Sequence, residues 1–393
     1  MTSEWKTYKI KDVLSYVVDN RGKTPPIQDE GFELLEVNAI SATEKFPQYQ
    51  VVRKHVSEHV YNTWFRSGHP QIGDILVPTV GTLGAVSYVN KDCCCIAQNL
   101  IALRANSDIC DCDYLYYILR NPNTRKRLLN LNIGGVQPSI KVPHLMDLEI
   151  TIPDIDVQKK ISSILRTIDD KISMNQKIND NLQQQAFALF DKFLTGKHLE
   201  SVSLSEIAEL NPKRSLAKNE MSRCIDMAQL STSGSFPNGW ETKPYSGGMR
   251  FKNGDTLLAR ITPCLENGKT AYIDFLDSNE VAFGSTEYIV MCSQGRYPSE
   301  FFYCLARHPS FVDYAVKNMN GSSGRQRVSA ETIGKYSLPQ LTDDELLEFK
   351  NVVSVLFSAI RLNSLENIRL LELRDALLPK LMSGEIDISS IQL

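Results

Sequence analysis

Three kinds of residue in this 393-residue chain have types and spacings that invite chemistry. Cys93-Cys94-Cys95 and Cys110-x-Cys112 gather five thiols, and clustered thiols suggest a metal. Neither group has the two-residue spacing of a zinc knuckle or a His at ligand-like distance, so the cysteines read as small buried apolar residues. Gly81-x-x-Gly84 looks like a phosphate turn, but a strand is expected after it, and the chain has no G-x-x-x-x-G-K-[ST] loop. Asn121-Pro-Asn and Asn211-Pro-Lys lack the second proline and the aromatic of an amino-methyltransferase tetrapeptide. Pro153-Asp154 has no acid-x-Lys after it at strand spacing. Asp154 and Asp156 fit better as N-terminal charge on a helix. His55, His59 and His144 form no motif. The reading is a chain with no catalytic residue, no metal and no cofactor of its own.

What remains to carry function is how the elements are arranged. Asp156–Leu194 contains neither Pro nor Gly. Its apolar residues Ile161, Ile164, Leu165, Ile168, Ile172, Leu182, Ala186, Leu189 and Phe193 fall mostly three and four apart. That spacing makes a narrow seam on a long helix of the coiled-coil type, roughly 58 Å at 1.5 Å per residue. Asn175 and Asn179 interrupt the seam, where buried amides fix register and partner. The stretch occurs twice. About Asp343 to Leu378, Ile360-x-x-Asn363-x-x-x-Asn367 repeats Ile172-x-x-Asn175-x-x-x-Asn179 at an offset of 188. At that offset Leu165 meets Val353, Ile168 meets Leu356 and Leu182 meets Leu370, so the two copies are expected to pack on each other.

The segments before each helix repeat too. Tyr8–Asp19 reads as a strand running into a short helix, and Glu33–Ile40 and Val51–Tyr61 as short elements. Gly73-Asp74 opens a strand, Ile75–Thr79, and a Gly-rich turn leads to Ala85–Val89. Cys93–Leu103 reads as one strand, Asp113–Asn130 as one helix, and Leu148–Ile152 as a strand closed by Pro153. In the second half Val202–Leu210, Gly254-Asp255 with Thr256–Arg260, a helix over Phe301–Asn318, the loop Gly321–Arg327 and a strand Tyr336–Pro339 follow in the same order. The expected layout is a domain over 1–153, a helix over 154–196, a domain over 197–340, a helix over 341–384 and a tail over 385–393.

Apolar content is 42%, net charge −3 and pI about 6.1; residues 1–150 carry 16 Lys+Arg against 16 Asp+Glu. A nucleic-acid binder of this balance must use local patches or basic partners. The opening MTSEWKTYKIKDV has no apolar core of a signal peptide, and no run approaches a membrane span. Nine cysteines, an odd number, read as reduced thiols in the cytoplasm.

In ordered motifs the chain resembles the specificity (S) subunit of type I restriction–modification systems. The matching residues are Gly73-Asp-Ile-Leu76, Gly135-Val-Gln-Pro-Ser-Ile-Lys141, Leu148-x-x-x-Ile152-Pro153 and Gln158-Lys-Lys-Ile161. In the second half they are Gly254-Asp-Thr-Leu257, Gly321-Ser-Ser-Gly-Arg325, Leu338-Pro339 and Leu377-Leu-Pro-Lys-Leu-Met-Ser-Gly384. The second half departs at its helix start, where Leu346-Leu-Glu-Phe349 replaces Gln158-Lys-Lys-Ile161.

The resemblance implies an α+β fold: two similar target recognition domains separated by two long antiparallel coiled-coil helices, with an internal duplication. It implies a non-catalytic subunit whose domains each read one half of a bipartite double-stranded DNA target. The helices would set the half-site spacing through seam residues Ile161, Leu165, Ile168, Ile172, Asn175, Asn179, Leu182, Val353, Leu356, Ile360, Asn363, Asn367 and Leu370. Two methylation subunits and restriction subunits would be partners, and S-adenosylmethionine, ATP and magnesium would be theirs. Under that reading the DNA contacts come from polar residues on Gly-rich turns. In the first domain these are Arg21, Lys23, Thr79, Thr82, Gln137, Ser139 and Lys141. In the second they are Lys213, Arg214, Arg260, Thr262, Ser322, Ser323, Arg325, Gln326 and Arg327. Arg and Gln suit base edges; Ser, Thr and Lys suit phosphates. The competing reading is a coiled-coil adaptor that recognises protein.

Overall fold

A computed structural model describes residues 4–92, 94–196, 200–322 and 324–388. The chain divides into two compact units, Met1–Lys171 with Leu370–Leu393, and Ile172–Arg369.

Unit 1 begins with β1 (Lys6–Lys9), a single 3-10 turn at Ile10–Val13, and β2 (Leu14–Val18). β3 (Phe32–Leu35), β4 (His55–Val56), α1 (Glu58–Trp64), β5 (Ile75–Pro78), β6 (Ser87–Tyr88), β7 (Cys94–Ile96) and β8 (Leu100–Ala105) follow. Then come α2 (Cys112–Arg120), α3 (Pro122–Asn130), α4 (Val142–Met146), β9 (Glu149–Ile152) and α5 (Ile155–Leu194). β1 closes antiparallel on β9, Lys6 opposite Ile152. A four-stranded antiparallel sheet has the order β2-β8-β5-β6, and a three-stranded sheet the order β4-β3-β7 with β3 and β7 parallel.

Unit 2 has β10 (Ser201–Ser203), α6 (Leu204–Ile207), β11 (Ala208–Leu210), β12 (Met221–Ile225), β13 (Glu241–Pro244), β14 (Met249–Phe251), β15 (Thr256–Ala259), β16 (Thr270–Tyr272), β17 (Ala282–Gly284) and β18 (Tyr288–Ser293). α7 (Ser299–Arg307), α8 (Pro309–Lys317), α9 (Ala330–Gly334), β19 (Ser337–Pro339) and α10 (Asp343–Ser383) complete it. Its sheets repeat those of unit 1: β10 with β19, then β11-β18-β15-β16, then β13-β12-β17-β14 with β12 and β17 parallel. The duplication is therefore one of topology, with β14 as an added edge.

Four expected elements differ. Asp113–Asn130 is two helices, because Pro122 has no N–H to donate and its ring clashes with the preceding turn; it starts α3 instead, under an Asn121 cap. Phe301–Asn318 breaks in the same way at Pro309. Cys93–Leu103 is two strands, since a turn in which Leu100 N–H bonds the Ala97 carbonyl sends β7 and β8 to different sheets. Tyr8–Asp19 ends in a strand, β2, and not a helix.

α5 is capped by Asp154, whose carboxylate accepts from the Val157 N–H at 3.0 Å. α10 is capped by a reciprocal box: Glu345 accepts from the Thr342 N–H at 2.8 Å, and Thr342 Oγ1 from the Glu345 N–H at 3.3 Å. α10 runs past Leu378 and through Pro379 to Ser383. Gly384 stops it at φ +74°, and a Cβ there would meet the Trp5 ring at 3.0 Å. In unit 1 the core joins Tyr114, Leu115 and Tyr117 of α2 to Ile161 and Leu165 of α5 and to Leu378 and Leu381 of α10. In unit 2 Phe190 and Phe193 of α5, Phe349 and Phe357 of α10, and Phe301 and Phe302 of α7 share one cluster.

Candidate nucleic-acid interface

The acid of each Gly-Asp motif locks its own turn. Asp74 accepts from the Gln71 N–H at 2.9 Å and from Arg104 Nε at 2.9 Å. Asp255 accepts from the Lys252 N–H at 2.7 Å and from Arg214 Nη2 at 2.6 Å. The strand each motif opens is fully buried. Its far end delivers the chain to a turn, and that turn is laced to the later Gly-rich loop. In unit 1 the Gly81 N–H donates to the Pro138 carbonyl at 2.9 Å, and the Ile140 N–H to the Thr79 carbonyl at 2.9 Å. In unit 2 the Thr262 N–H donates to the Gln326 carbonyl at 3.1 Å, and the Val328 N–H to the Arg260 carbonyl at 3.0 Å. The Thr79 N–H reaches the Asn99 carbonyl at 2.8 Å, as the Arg260 N–H reaches the Glu287 carbonyl at 3.0 Å. One backbone scaffold is built twice.

Its side chains differ. Where unit 1 has Thr79, Asn99 and Ser139, unit 2 has Arg260, Glu287 and Arg327. Arg327 grips the Glu287 carboxylate, Nη2 at 2.7 Å and Nε at 2.9 Å, and Arg260 Nε joins at 3.1 Å. Arg327, with Arg260, holds the Glu287 carboxyl below its usual range.

Two expected contact residues are structural. Thr79 is 3% exposed and its hydroxyl is spent on the Asn99 carbonyl. The Arg214 side chain is 9% exposed and lies on the buried Asp255, so its charge is already committed. Arg21 is tied to Asp19, Nε at 2.8 Å and Nη2 at 2.7 Å. Thr262 bonds Glu266 at 3.2 Å. Ser139 and Gln326 are half-buried in the laced backbone. Lys23, Thr82, Gln137, Lys141, Lys213, Ser322 and Arg325 are exposed. Ser323 lies outside the described residues, as does Cys93. Glu287 and Asn99 were missed because a lone acid or amide before a strand carries no signature; only the repeat offset pairs them.

The seam residues are placed within the units. In unit 1 Ile161, Leu165 and Ile168 are buried, and Asp169 is bound by Arg374 Nη1 at 3.0 Å and by the Tyr117 hydroxyl at 2.7 Å. In unit 2 Asn175 Nδ2 donates to Asn367 Oδ1 at 2.8 Å, and Asn363 Nδ2 to Asn179 Oδ1 at 2.9 Å. As one index rises the other falls, so the pairing is antiparallel. Ile172, Val353 and Ile360 are buried beside them. Leu182, Leu356 and Leu370 only flank the seam, which passes through Gln183 and Phe357 instead. A four-four step in a three-four pattern, Asn175–Asn179–Gln183 in α5 and Phe349–Val353–Phe357 in α10, rotates the stripe by one position past Leu182 and Leu356. Gln183 is held by Tyr303 at 3.0 Å and by the Ser233 carbonyl at 2.6 Å. Gln158, which the repeat replaces with Leu346, is a buried knot. Its Nε2 donates to the Ile109 and Pro153 carbonyls, both at 2.9 Å, and its Oε1 accepts from the Asp111 N–H at 3.0 Å.

Among the described residues no three His, Cys, Asp or Glu side chains gather as metal ligands, and no helix is long and apolar enough to cross a membrane. Burial pushes the Cys94, Cys95 and Cys110 thiols up to about 12.

Residues 2–184 match the family model described as the type I restriction modification DNA specificity domain. The type I restriction enzyme HindI specificity subunit of Haemophilus influenzae is 24% identical over 74% of this chain and 81% of its own length. The MjaIX specificity subunit of Methanocaldococcus jannaschii is 24% identical over 71% of this chain and 70% of its own. In fold, the S subunit of a type I restriction-modification system from M. genitalium superposes with a TM-score of 0.56 at 17% identity, over 97% of this chain and 96% of that one. The laced turns built twice, the paired helices and these relatives point one way: residues 2–184 match a type I restriction modification DNA specificity domain, and most of the chain is similar to type I restriction enzyme specificity subunits.

Proposed function

We propose that this chain is the DNA target-recognition subunit of a type I restriction–modification complex. The observation that carries the proposal is the doubled scaffold with unlike side chains. A turn laced to a Gly-rich loop presents Thr82, Gln137 and Lys141 in unit 1, and Ser322 and Arg325 in unit 2. Equal frames with unequal polar groups suit two readers of different DNA sequences, one for each half of a bipartite target. In this reading residues 1–153 and 197–340 are the two target recognition domains, and residues 154–196 and 341–384 form the spacer helices that fix the half-site spacing. A chain of net charge −3 takes part of its phosphate affinity from its partners. Those partners are two methylation subunits docked on the helices, together with restriction subunits. Methylation, cleavage, S-adenosylmethionine, ATP and magnesium belong to them, and the assembly works in the cytoplasm. The protein-adaptor alternative has no counterpart among the relatives described above.

The test is a domain exchange. Residues 1–153 are replaced by the corresponding segment of a relative with a different target, and the host methylome is sequenced. One half of the methylated sequence changes and the other stays. Change in both halves, or in neither, refutes the division of labour.

A further inference from the structure

In a chain of net charge −3, residues 114–146 hold five Lys and Arg and no Asp or Glu. Three of the five, Arg125, Lys126 and Arg127, stand in a row on α3, and all three are exposed. Among the described residues none of the three has an ion-pair partner. The arginines of the laced turns behave differently: Arg214 lies on Asp255, and Arg260 and Arg327 share Glu287. Three adjacent like charges repel one another and find no ion-pair partner among the described residues, so an anion from outside the fold would relieve that repulsion.

α3 is joined to the candidate interface of unit 1 at both ends. Arg125 lies across the Gly81–Gly84 turn, and a Cβ on Gly84 would come 2.9 Å from Arg125 Cγ. The chain leaving α3 enters the loop that carries Gln137 and Lys141 and is laced to Gly81. Arg125, turn and loop therefore make one continuous surface, and Lys126 and Arg127 extend the charge from Arg125 around the exposed side of α3. In unit 2 the corresponding helix, α8, has Val312, Asp313 and Tyr314 in these places, at an offset of 187.

We propose that Arg125, Lys126 and Arg127 grip the phosphate backbone of duplex DNA beside the half-site of unit 1, a grip that α8 does not supply for unit 2. This rests on the recognition reading above. Successive helix residues fan out by about 100°. Three such side chains cannot all enter one groove, but they can follow a charged strand. They supply affinity and orientation and carry no sequence information.

The test uses the full chain assembled with its methylation subunits. The probes are a fluorescein-labelled duplex carrying the sequence methylated in the host and a scrambled duplex of equal composition, each titrated over a range of salt. In R125Q/K126Q/R127Q the slope of log affinity against log salt falls by up to about 2.7, on both duplexes alike. Over a fourfold rise in salt, the variant then loses up to roughly fortyfold less affinity than the wild type. The ratio of target to scrambled binding and the melting temperature stay the same, and R125K/K126R/R127K restores the slope. An unchanged slope overturns the proposal. A collapsed target-to-scrambled ratio makes the residues base readers and overturns it too. Loss of the methylation subunits on size exclusion makes the surface a protein contact, which equally overturns the phosphate grip. A wild-type complex that does not distinguish the two duplexes fails differently: it removes the recognition reading on which the proposal stands.

Discussion

The amide pair in the seam of unit 2 gives a prediction whose size follows from the contacts. Asn175 is 1% exposed and Asn367 9%. Asn175 Nδ2 serves both Asn367 Oδ1, at 2.8 Å, and Glu366 Oε2, at 2.7 Å. Asn367 Nδ2 reaches the Ile172 carbonyl at 3.4 Å, a long bond. In Asn367→Leu the Asn175 amide keeps Glu366, so the loss is about 1–2 kcal/mol, the lower part of the range for a half-emptied buried hydrogen bond. Asn175→Leu sets an apolar branch against the Glu366 carboxylate and strips Asn367 Oδ1 of its donor, so it costs about 2–3 kcal/mol. With both replaced by Leu the seam is apolar across this layer and no amide is left unpaired. The double variant is expected to be less destabilised than the sum of the singles by about 1–2 kcal/mol. The chain has three tryptophans. Only Trp240 lies in unit 2, so a W5F/W64F background makes fluorescence report that unit during urea unfolding. Because two units need not unfold together, that local signal is required. Singles that simply add in the double variant would show that the two amides do not interact, and the seam argument would fall.

Arg325→Ala is expected to weaken target binding by about 1–3 kcal/mol, the value of a base contact, with no change in melting temperature. Arg327→Ala lowers the melting temperature as well, since it leaves Glu287 with Arg260 alone; equal behaviour of the two variants in a thermal scan and a binding titration would contradict this. Asp274 is pushed by burial up to about 7, against the pull of Arg361. A carboxyl raised in the folded state is best tolerated protonated, so its contribution is complete below the ordinary value of 3.8 and is lost as pH rises through about 7. Asp274→Asn should flatten the stability of unit 2 over that window, by at most about 4 kcal/mol, as read by Trp240 in urea at several pH values. A wild type as stable at pH 8 as at pH 4 would exclude the effect. Inserting one heptad into both α5 and α10 keeps the seam in register and adds about 10.5 Å of helix. If the helices set the spacing, the methylated target gains about three base pairs of spacer with both half-sites unchanged, and an unaltered spacer removes the helices as the ruler.

What the sequence determined by itself is what local periodicity and repetition encode. The long helices follow from apolar residues spaced mostly three and four apart, and their caps at Asp154 and Thr342 from side chains a few residues away. The doubled topology follows from motifs that recur in one order, at an offset of 181 at Gly73-Asp74 and 188 at the seam amides. The family resemblance was legible for the same reason, since ordered motifs survive where each motif alone is weak. The proline breaks before α3 and α8 were also written in the sequence, hidden only by an apolar period that runs across them.

Tertiary structure alone decided which polar side chains are free. Thr79 and Arg214 look like loop residues, yet one closes a strand end on Asn99 and the other neutralises a buried acid. Arg327 and Arg325 are two residues apart and type-identical, but only Arg327 meets Glu287, forty positions earlier in the chain. Gln158 looks like a polar helix start and is a buried anchor. Hydrogen-bond partners and counter-charges come from any distance along the chain, and desolvation depends on what packs from other elements. Neither leaves a period in the sequence, so the frame of this protein was local information and its free contact groups were not.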